Sequence, residues 1–169
     1  MALPIIPNIA LERDAEYCQL AHDKPTGFAN AGLVWVLLKA SGLEADTVLR
    51  DYANLDALLK RGGGSQVAEA SFTGYSRLAV TNTNISITVD NVNDKVLIDI
   101  TVDPSWDPTT VEDIGAIALC FDPDTTGGTD ADIIPLFVDA CVETTGTGGA
   151  ATPLTYVVAT NGYNSGVQA

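Results

Sequence analysis

Apolar and polar residues alternate along two segments in the middle of the chain, and a period of two is the pattern of half-buried β-strands. The segments NISITVD (84–90) and KVLIDITVD (95–103) each carry isoleucine or valine at every second position, with Ser, Thr or Asp between most of them. The Asn-Val-Asn-Asp sequence that separates them suits a turn, because Asn and Asp tolerate the backbone angles that turns require. The pattern therefore predicts a β-hairpin.

Four further apolar runs predict strands, and turn-forming residues separate most of them. They are Leu33–Ala40, Ile114–Phe121, Ile133–Val142 and Leu154–Thr160. Several short strands divided by turns are typical of a sandwich or a related barrel. The predicted fold class is mainly β: an antiparallel β-sandwich or jelly-roll-like domain.

One segment follows the helical period instead. Five apolar residues recur there at steps of three and four, and they predict one short helix over about 46–60. The glycines Gly62–Gly64 are expected to end this helix and to form a flexible loop. The five apolar residues are Leu49, Tyr52, Leu55, Leu58 and Leu59.

The first 31 residues show only weak periodicity and contain three prolines, so they predict an extended N-terminal arm. Isoleucines exposed on such an arm would be costly in water, so we expect the arm to dock on a surface, either that of its own domain or, as we favour, that of a neighbouring subunit. The predicted partner-binding residues are Leu3, Pro4, Ile5, Ile6, Pro7 and Ile9. The domain division is thus an arm (1–31), a β-sandwich domain with an inserted helix (32–160) and a flexible C-terminal tail (161–169).

Length and charge narrow the class of protein. The chain has 169 residues and a net charge of −14, and all eight Lys and Arg residues lie at or before Lys95. Such an acidic second half cannot neutralise phosphates, so nucleic-acid and anionic-membrane partners are not expected. With no signal-peptide pattern at its start, the protein is expected to be made in a cytoplasm. The acidic surface suits a part of a crowded assembly that must remain soluble.

The three cysteines, Cys18, Cys120 and Cys141, show neither metal-ligand spacing nor the even number of a disulfide framework. Cys120 and Cys141 lie within apolar runs, where we expect them to act as small core residues.

Four aspartates surround a Thr-Thr-Gly-Gly-Thr sequence in FDPDTTGGTDADIIPL (121–136), which raises the possibility of a calcium loop. An EF-hand pattern fails, because Ile133 occupies the position where a bidentate Glu must close the site. A looser oxygen cage and a pair of catalytic carboxylates remain alternatives, although proline and the glycines favour a plain connector between strands. The candidate calcium ligands are Asp122, Asp124, Asp130 and Asp132.

Other candidates for chemistry are few. His22 is the only histidine and lacks the spacing of a triad or a metal site, and Ser71, Ser76 and Ser105 lie in no nucleophile motif. Arg77 is expected to pair with an acid across strands. No catalytic residue and no cofactor is predicted.

The order of these segments resembles a family of small virion proteins of tailed bacteriophages. The similarity runs through EASFTGYSR (69–77), ITVDNVNDKVLIDITVDPSW (87–106) and DPDTTGGTDADIIPL (122–136), and covers about residues 32–142. The resemblance implies a non-enzymatic structural component of the virion, either a capsid decoration protein or a minor tail protein. Its partners would be major capsid or tail subunits and further copies of itself.

Two other functions stay open at this point. The first alternative is a carbohydrate- or host-surface-binding module of the phage tail, with Trp106, Tyr156 and Tyr163 as candidate aromatic contacts. The second is a metal-assisted hydrolase built on the aspartate-rich loop.

Overall fold

The computed structural model describes residues 13–60, 69–92, 95–144, 146–147, 150–151 and 153–157. Its helices are α1 (Asp14–Asp23), α2 (Asp46–Leu49) and α3 (Leu55–Lys60). Its strands are β1 (Gly32–Lys39), β2 (Leu78–Val80), β3 (Ile85–Asp90), β4 (Lys95–Ile100), β5 (Ser105–Trp106), β6 (Asp113–Asp122), β7 (Ile134–Thr144), β8 (Gly146–Thr147), β9 (Ala150–Ala151) and β10 (Leu154–Thr155). A 3₁₀ turn covers Asn82–Asn84.

A four-stranded antiparallel sheet in the order β2-β1-β6-β7 forms the centre of the molecule. Strand β1 pairs with β2 on one side and with β6 on the other, so that Leu33 lies opposite both Val80 and Phe121. Both faces of β1 are apolar and buried, which explains its continuous apolar run. The strands predicted at 33–40, 114–121 and 133–142 are confirmed with shifts of one or two residues at their ends.

Each face of this sheet packs against a different layer. On the first face, Trp35 and Leu119 join a core shared with α1, the β3–β4 hairpin and the short β5–β10 ribbon. On the second face, Val36 and Ala118 pack with leucines of α2 and α3. The fold is therefore mainly β and sandwich-like, with a hairpin layer on one face and a helical layer on the other.

The predicted hairpin is confirmed, and the structure gives its register. Ile85 lies opposite Ile100 and Ile87 opposite Ile98, and the two strands run antiparallel. Ile85, Ile98 and Ile100 are buried, whereas Val89, on the same face nearer the turn, is 62% exposed. The base of the hairpin thus belongs to the core, while the part of its apolar face near the turn extends past the core and is exposed.

The prediction of one helix over 46–60 is wrong in its continuity, although its apolar residues do face the core. Asn54 interrupts the helix because its side-chain oxygen accepts a hydrogen bond from the Ala57 N–H at 2.9 Å, as a helix N-cap does. The N–H of Leu55 donates to the Ile133 carbonyl at 2.8 Å, so α3 begins against the loop before β7.

The prediction of an extended segment is wrong for Asp14–Asp23, which forms α1. Proline-free sequence and good helix formers allow the helix, and Tyr17, Cys18 and Ala21 bury one narrow side of it. Lys24 ends the helix in a left-handed conformation (φ 47°), and Pro25 follows. Residues 1–12 of the predicted arm and residues 161–169, the predicted tail, lie outside the described residues.

The cysteines differ in burial. Cys18 and Cys120 are fully buried, which confirms Cys120 as a core residue, whereas Cys141 is half-buried at the margin of the core. Burial raises the pKa of the Cys18 and Cys120 thiols well above the ordinary value. In the described part of the chain, each helix is too short or too polar to cross a bilayer.

Candidate functional site: the aspartate-rich loop and its arginine clamp

The loop between β6 and β7 (Pro123–Ile133) carries most of the acids of interest, and local hydrogen bonds shape it. Asp124 Oδ1 accepts bonds from the Thr126 N–H at 3.1 Å and the Thr126 hydroxyl at 2.6 Å. Asp132 Oδ2 does the same for Thr129, at 3.1 and 2.8 Å. Between them Gly128 adopts a positive φ of 80°, which favours glycine. Two aspartates thus stabilise the turn from its two sides.

The acids of this loop differ in their electrostatic surroundings. Asp122 is largely buried at the end of β6, and that burial raises its pKa, against the effect of a 3.0 Å hydrogen bond from the Asp124 N–H. The bonds from Thr126 lower the pKa of Asp124, whose charged form they stabilise. The carboxylates of Asp122 and Asp124 therefore both accept hydrogen bonds that shape the loop, although their surroundings shift their pKa values in opposite directions.

Arg77 clamps the far side of the loop. Its Nε and Nη2 donate to the two oxygens of Glu69 at 2.8 and 2.7 Å, and its Nη1 and Nη2 donate to Asp130 at 2.6 and 3.1 Å. Bidentate pairs of this kind are the strongest ion pairs that a guanidinium forms. The hydrogen bonds from Arg77 lower the pKa of Asp130. We call Glu69, Arg77 and Asp130 the arginine clamp.

The arginine clamp is tied into the sheet by Tyr75. The Tyr75 hydroxyl donates to Glu69 Oε1 at 2.8 Å and accepts a bond from the Leu37 N–H at 3.2 Å. Burial raises the pKa of this hydroxyl, so it remains a donor at ordinary pH. The sequence predicts that Arg77 pairs with an acid across strands; in the structure it pairs with two acids, Glu69 from eight residues earlier and Asp130 from the β6–β7 loop.

The loop is also anchored at two other points. Thr125 donates from its N–H and its hydroxyl to the Asn30 carbonyl, at 3.0 and 2.9 Å. At the opposite end, the Asp56 N–H of α3 donates to the Asp130 carbonyl at 3.0 Å. The loop therefore connects the segment before β1, the clamp and α3.

The four candidate calcium ligands are not gathered around one point. Asp130 is bound to Arg77, and each of the other three accepts hydrogen bonds from its own stretch of the loop. Among the residues described, no three His, Cys, Asp or Glu side chains are placed to hold a metal ion. The loop has the geometry of a connector.

A second polar cluster was not foreseen from the sequence. Lys39 donates to Ser71 Oγ at 2.7 Å and lies 2.9 Å from Glu112 Oε1, and Glu112 Oε2 accepts the N–H groups of Ser71 and Phe72 at 2.6 and 3.1 Å. Partial burial opposes the charged form of Glu112, but the bonds from Ser71 and Lys39 outweigh it and lower the pKa. The cluster joins β1, the segment at 71–72 and the turn before β6, and we assign it a structural role.

The remaining candidates lie apart from these clusters. His22 Nδ1 contacts its neighbour Asp23 at 2.6 Å, at the exposed end of α1. Ser76 offers its carbonyl to the Trp106 indole N–H at 2.8 Å, and Ser105 bonds Thr155 at 2.9 Å. These contacts organise the ends of elements.

Two of the three candidate sugar contacts, Trp106 and Tyr156, lie in the described part of the chain, and both pack against the core. Trp106 is 3% exposed and stacks on Tyr75 with a centroid distance of 6.5 Å. Tyr156 packs against Trp35 and donates from its hydroxyl to Asp139 at 2.6 Å. Tyr163 and the predicted partner-binding residues Leu3, Pro4, Ile5, Ile6, Pro7 and Ile9 lie outside the described residues.

Comparison of the chain with protein-family models, with curated proteins and with solved structures gave no match.

Proposed function

We propose that the protein is a structural component of a tailed-phage virion, a capsid decoration or minor tail protein that binds neighbouring virion subunits through its N-terminal arm and sheet edges. It would work as a homo-oligomer without a cofactor and without catalytic turnover.

The observation that carries this proposal is the contrast between the arm and the domain to which it is attached. Residues 1–11 contain no charged side chain, whereas the whole chain carries −14. Four of the basic side chains in the described part, those of Arg13, Lys39, Lys60 and Arg77, already lie in ion pairs with acids of the same chain. The extension, which is apolar and has no charged side chain, can attach to a neighbour, while the acidic surface of the domain repels non-specific contacts.

The roles of the polar clusters also support a structural protein. The acids, Arg77, Lys39 and Ser71 link segments that are far apart in the sequence, and they do so within the domain. The kind of assembly is proposed from the resemblance of its motifs to those of the phage virion family.

Deleting Met1–Leu11 tests the proposal. The truncated chain should keep the melting temperature and the circular dichroism spectrum of the full chain, because the buried apolar residues of the described part begin at Tyr17. It should be missing from purified particles, as measured by mass spectrometry of assembled virions. A full-length variant with serine at Ile5, Ile6 and Ile9 should behave in the same way.

Asn8→Ser is the matched control, because it changes a polar residue of the same arm and should be incorporated normally. Normal incorporation of the truncated chain would contradict the proposed role of the arm. Absence of the full-length chain from particles would contradict the virion assignment itself.

A further inference from the structure

A mainly apolar cavity of about 220 Å³, with Thr155 and Tyr156 also in its lining, lies between the central sheet and the β5–β10 ribbon. Leu37 and Ile117 line it from the sheet, and Trp106 and Leu154 line it from the ribbon. Because residues of two separate elements line the cavity, its walls are set by the fold and not by one loop.

The cavity is partly open to solvent. Val157, which lines it, is 71% exposed, and the half-buried Cys141 contributes its side chain to the same wall. An apolar cavity of about 150 Å³ is large enough to hold a benzene molecule, so this one has room for a branched aliphatic side chain. Filling it would remove apolar wall atoms from water, at about 25 cal/mol for each Å² covered.

The chain contains a segment whose chemistry suits this cavity. Met1–Leu11 carries three isoleucines and two leucines and no charged side chain. The twelve residues before Arg13 can span at most about 40 Å, enough to leave one molecule and reach the surface of the next.

The charge of the molecule favours such a reaching contact over face-to-face packing. Two copies, each with a net charge of −14, repel when their acidic surfaces approach. An arm without charged side chains can enter a neighbour's apolar cavity while the two acidic bodies stay more than about 8 Å apart. Beyond that distance physiological salt screens most of the repulsion between their charges.

We infer that this cavity receives an isoleucine of the Met1–Leu11 arm from a neighbouring copy of the chain. The inference rests on the proposed function, to which it adds the surface that the arm recognises.

Cys141 makes the contact measurable. It lies in the cavity wall, whereas Cys18 and Cys120 are 0% exposed and shielded from added reagents. Replacing Ile5, Ile6 or Ile9 singly with cysteine should allow a disulfide to Cys141 at one or more positions, since a disulfide needs Cα atoms within about 7 Å. After mild oxidation of the folded protein with a copper–phenanthroline catalyst, a non-reducing gel should show cross-linked dimers and larger species.

Three controls define the result. The cross-link should be lost when Cys141→Ser is added, lost when the chain is unfolded in urea before oxidation, and reversed by a thiol reductant. A disulfide within one chain, no disulfide at any of the three positions, or a chain that stays monomeric at every concentration would each overturn the inference.

Failure here is distinguishable from failure of the proposed function. If no cross-link forms but the arm deletion still abolishes incorporation, the arm binds another virion protein and only the cavity inference fails. If the cross-link forms but the full chain is absent from particles, the arm–cavity contact stands and the virion assignment fails.

Discussion

Arg77 holds two carboxylates from distant parts of the chain, Glu69 and Asp130, against one guanidinium. Its side chain is 28% exposed, so the two ion pairs are partly shielded from water. Removing one member of a shielded pair costs more than the pair contributes, because the other charge remains without its partner. Among the residues in ion pairs, Arg77 is therefore the one whose substitution should lower the free energy of unfolding most.

We expect Arg77→Met to lower the free energy of unfolding by about 2 kcal/mol, because Glu69 and Asp130 would be left close together without a cation. Urea denaturation followed by circular dichroism measures this. Arg13→Met is the matched control, since the pair of Arg13 with Glu16 is exposed and should contribute little. Equal effects of the two substitutions would contradict a special role for the clamp.

The clamp also predicts a dependence of stability on pH. The pKa of Asp130 is lowered in the folded state by Arg77, so the folded state binds a proton there less readily than the unfolded state. The stabilisation is complete above the unfolded pKa of about 4 and is lost as the pH falls through the lower, folded pKa. Asp130→Asn should therefore flatten the loss of unfolding free energy between about pH 5 and pH 3.

Denaturation curves collected across this pH range for the wild type and for Asp130→Asn measure the effect. Asp107→Asn removes the same charge from an exposed loop and serves as the charge-matched control. If the unfolding free energy of Asp130→Asn falls as steeply with decreasing pH as that of the wild type, the clamp is ruled out as the source of this pH dependence.

At the scale of elements, the β3–β4 hairpin shows how far local pattern determines structure. Its alternation and its turn are contained within about twenty residues, so nothing distant is needed to predict the strands or their pairing. The break between α2 and α3 could not be predicted in this way. The N–H groups of Leu55 and Asp56 donate to carbonyls of the loop at 130–133, and no local sequence pattern indicates these distant contacts. Helix α1 was missed because only Tyr17, Cys18 and Ala21 mark its buried side.

The gradient of burial along the hairpin predicts a gradient of mutational cost. Ile98 is 1% exposed, so Ile98→Ala should lower the free energy of unfolding by about 2–5 kcal/mol through lost contacts and a cavity. Val89→Ala, at a 62% exposed position of the same face, should change it by less than about 0.5 kcal/mol. Thermal and urea denaturation of both variants would test this, and similar costs would mean that Val89 is buried in solution.

The pairing of β1 with β6 depends on a close backbone approach. A Cβ at Gly115 would lie 2.6 Å from the Ala40 Cα, where the register of the β6 pairing with both neighbours also shifts. We expect Gly115→Ala to destabilise the protein by about 1–3 kcal/mol, the usual range for overpacking. Ala118→Gly, in the same strand, is the control for a change of residue size. A melting temperature for Gly115→Ala at or above that of the wild type would contradict the close approach.

At the scale of the whole molecule, the uneven distribution of charge is the dominant property. The sequence was enough to predict the acidic second half and the antiparallel, sandwich-like class, because these follow from composition and period. It was not enough to predict the arginine clamp or the Lys39–Ser71–Glu112 cluster, whose members meet only after the sheet has formed. The arrangement of the aspartates could be anticipated as a connector, but not their anchoring to Asn30 and Arg77.

Self-repulsion predicts a response to salt. Raising sodium chloride from about 0.01 M to about 0.15 M shortens the screening length from about 30 to about 8 Å, so repulsion among the acids should weaken. We expect the melting temperature to rise over this range, as measured by circular dichroism. The melting temperature of Arg77→Met should rise more steeply with salt, because this substitution adds to the net negative charge. A falling melting temperature would mean that ion pairs within the chain outweigh the repulsion.

The two tryptophans of the chain, Trp35 and Trp106, both belong to the apolar layer between the sheet and the hairpin. The opposite layer, which α2 and α3 form with the second face of the sheet, has no tryptophan among its core residues. Tryptophan fluorescence therefore reports on only one side of the sheet. A transition in which the helices detach first would leave the tryptophan emission almost unchanged. Far-ultraviolet circular dichroism would register that step, so a difference between the two signals would mark the helical side as the first to open.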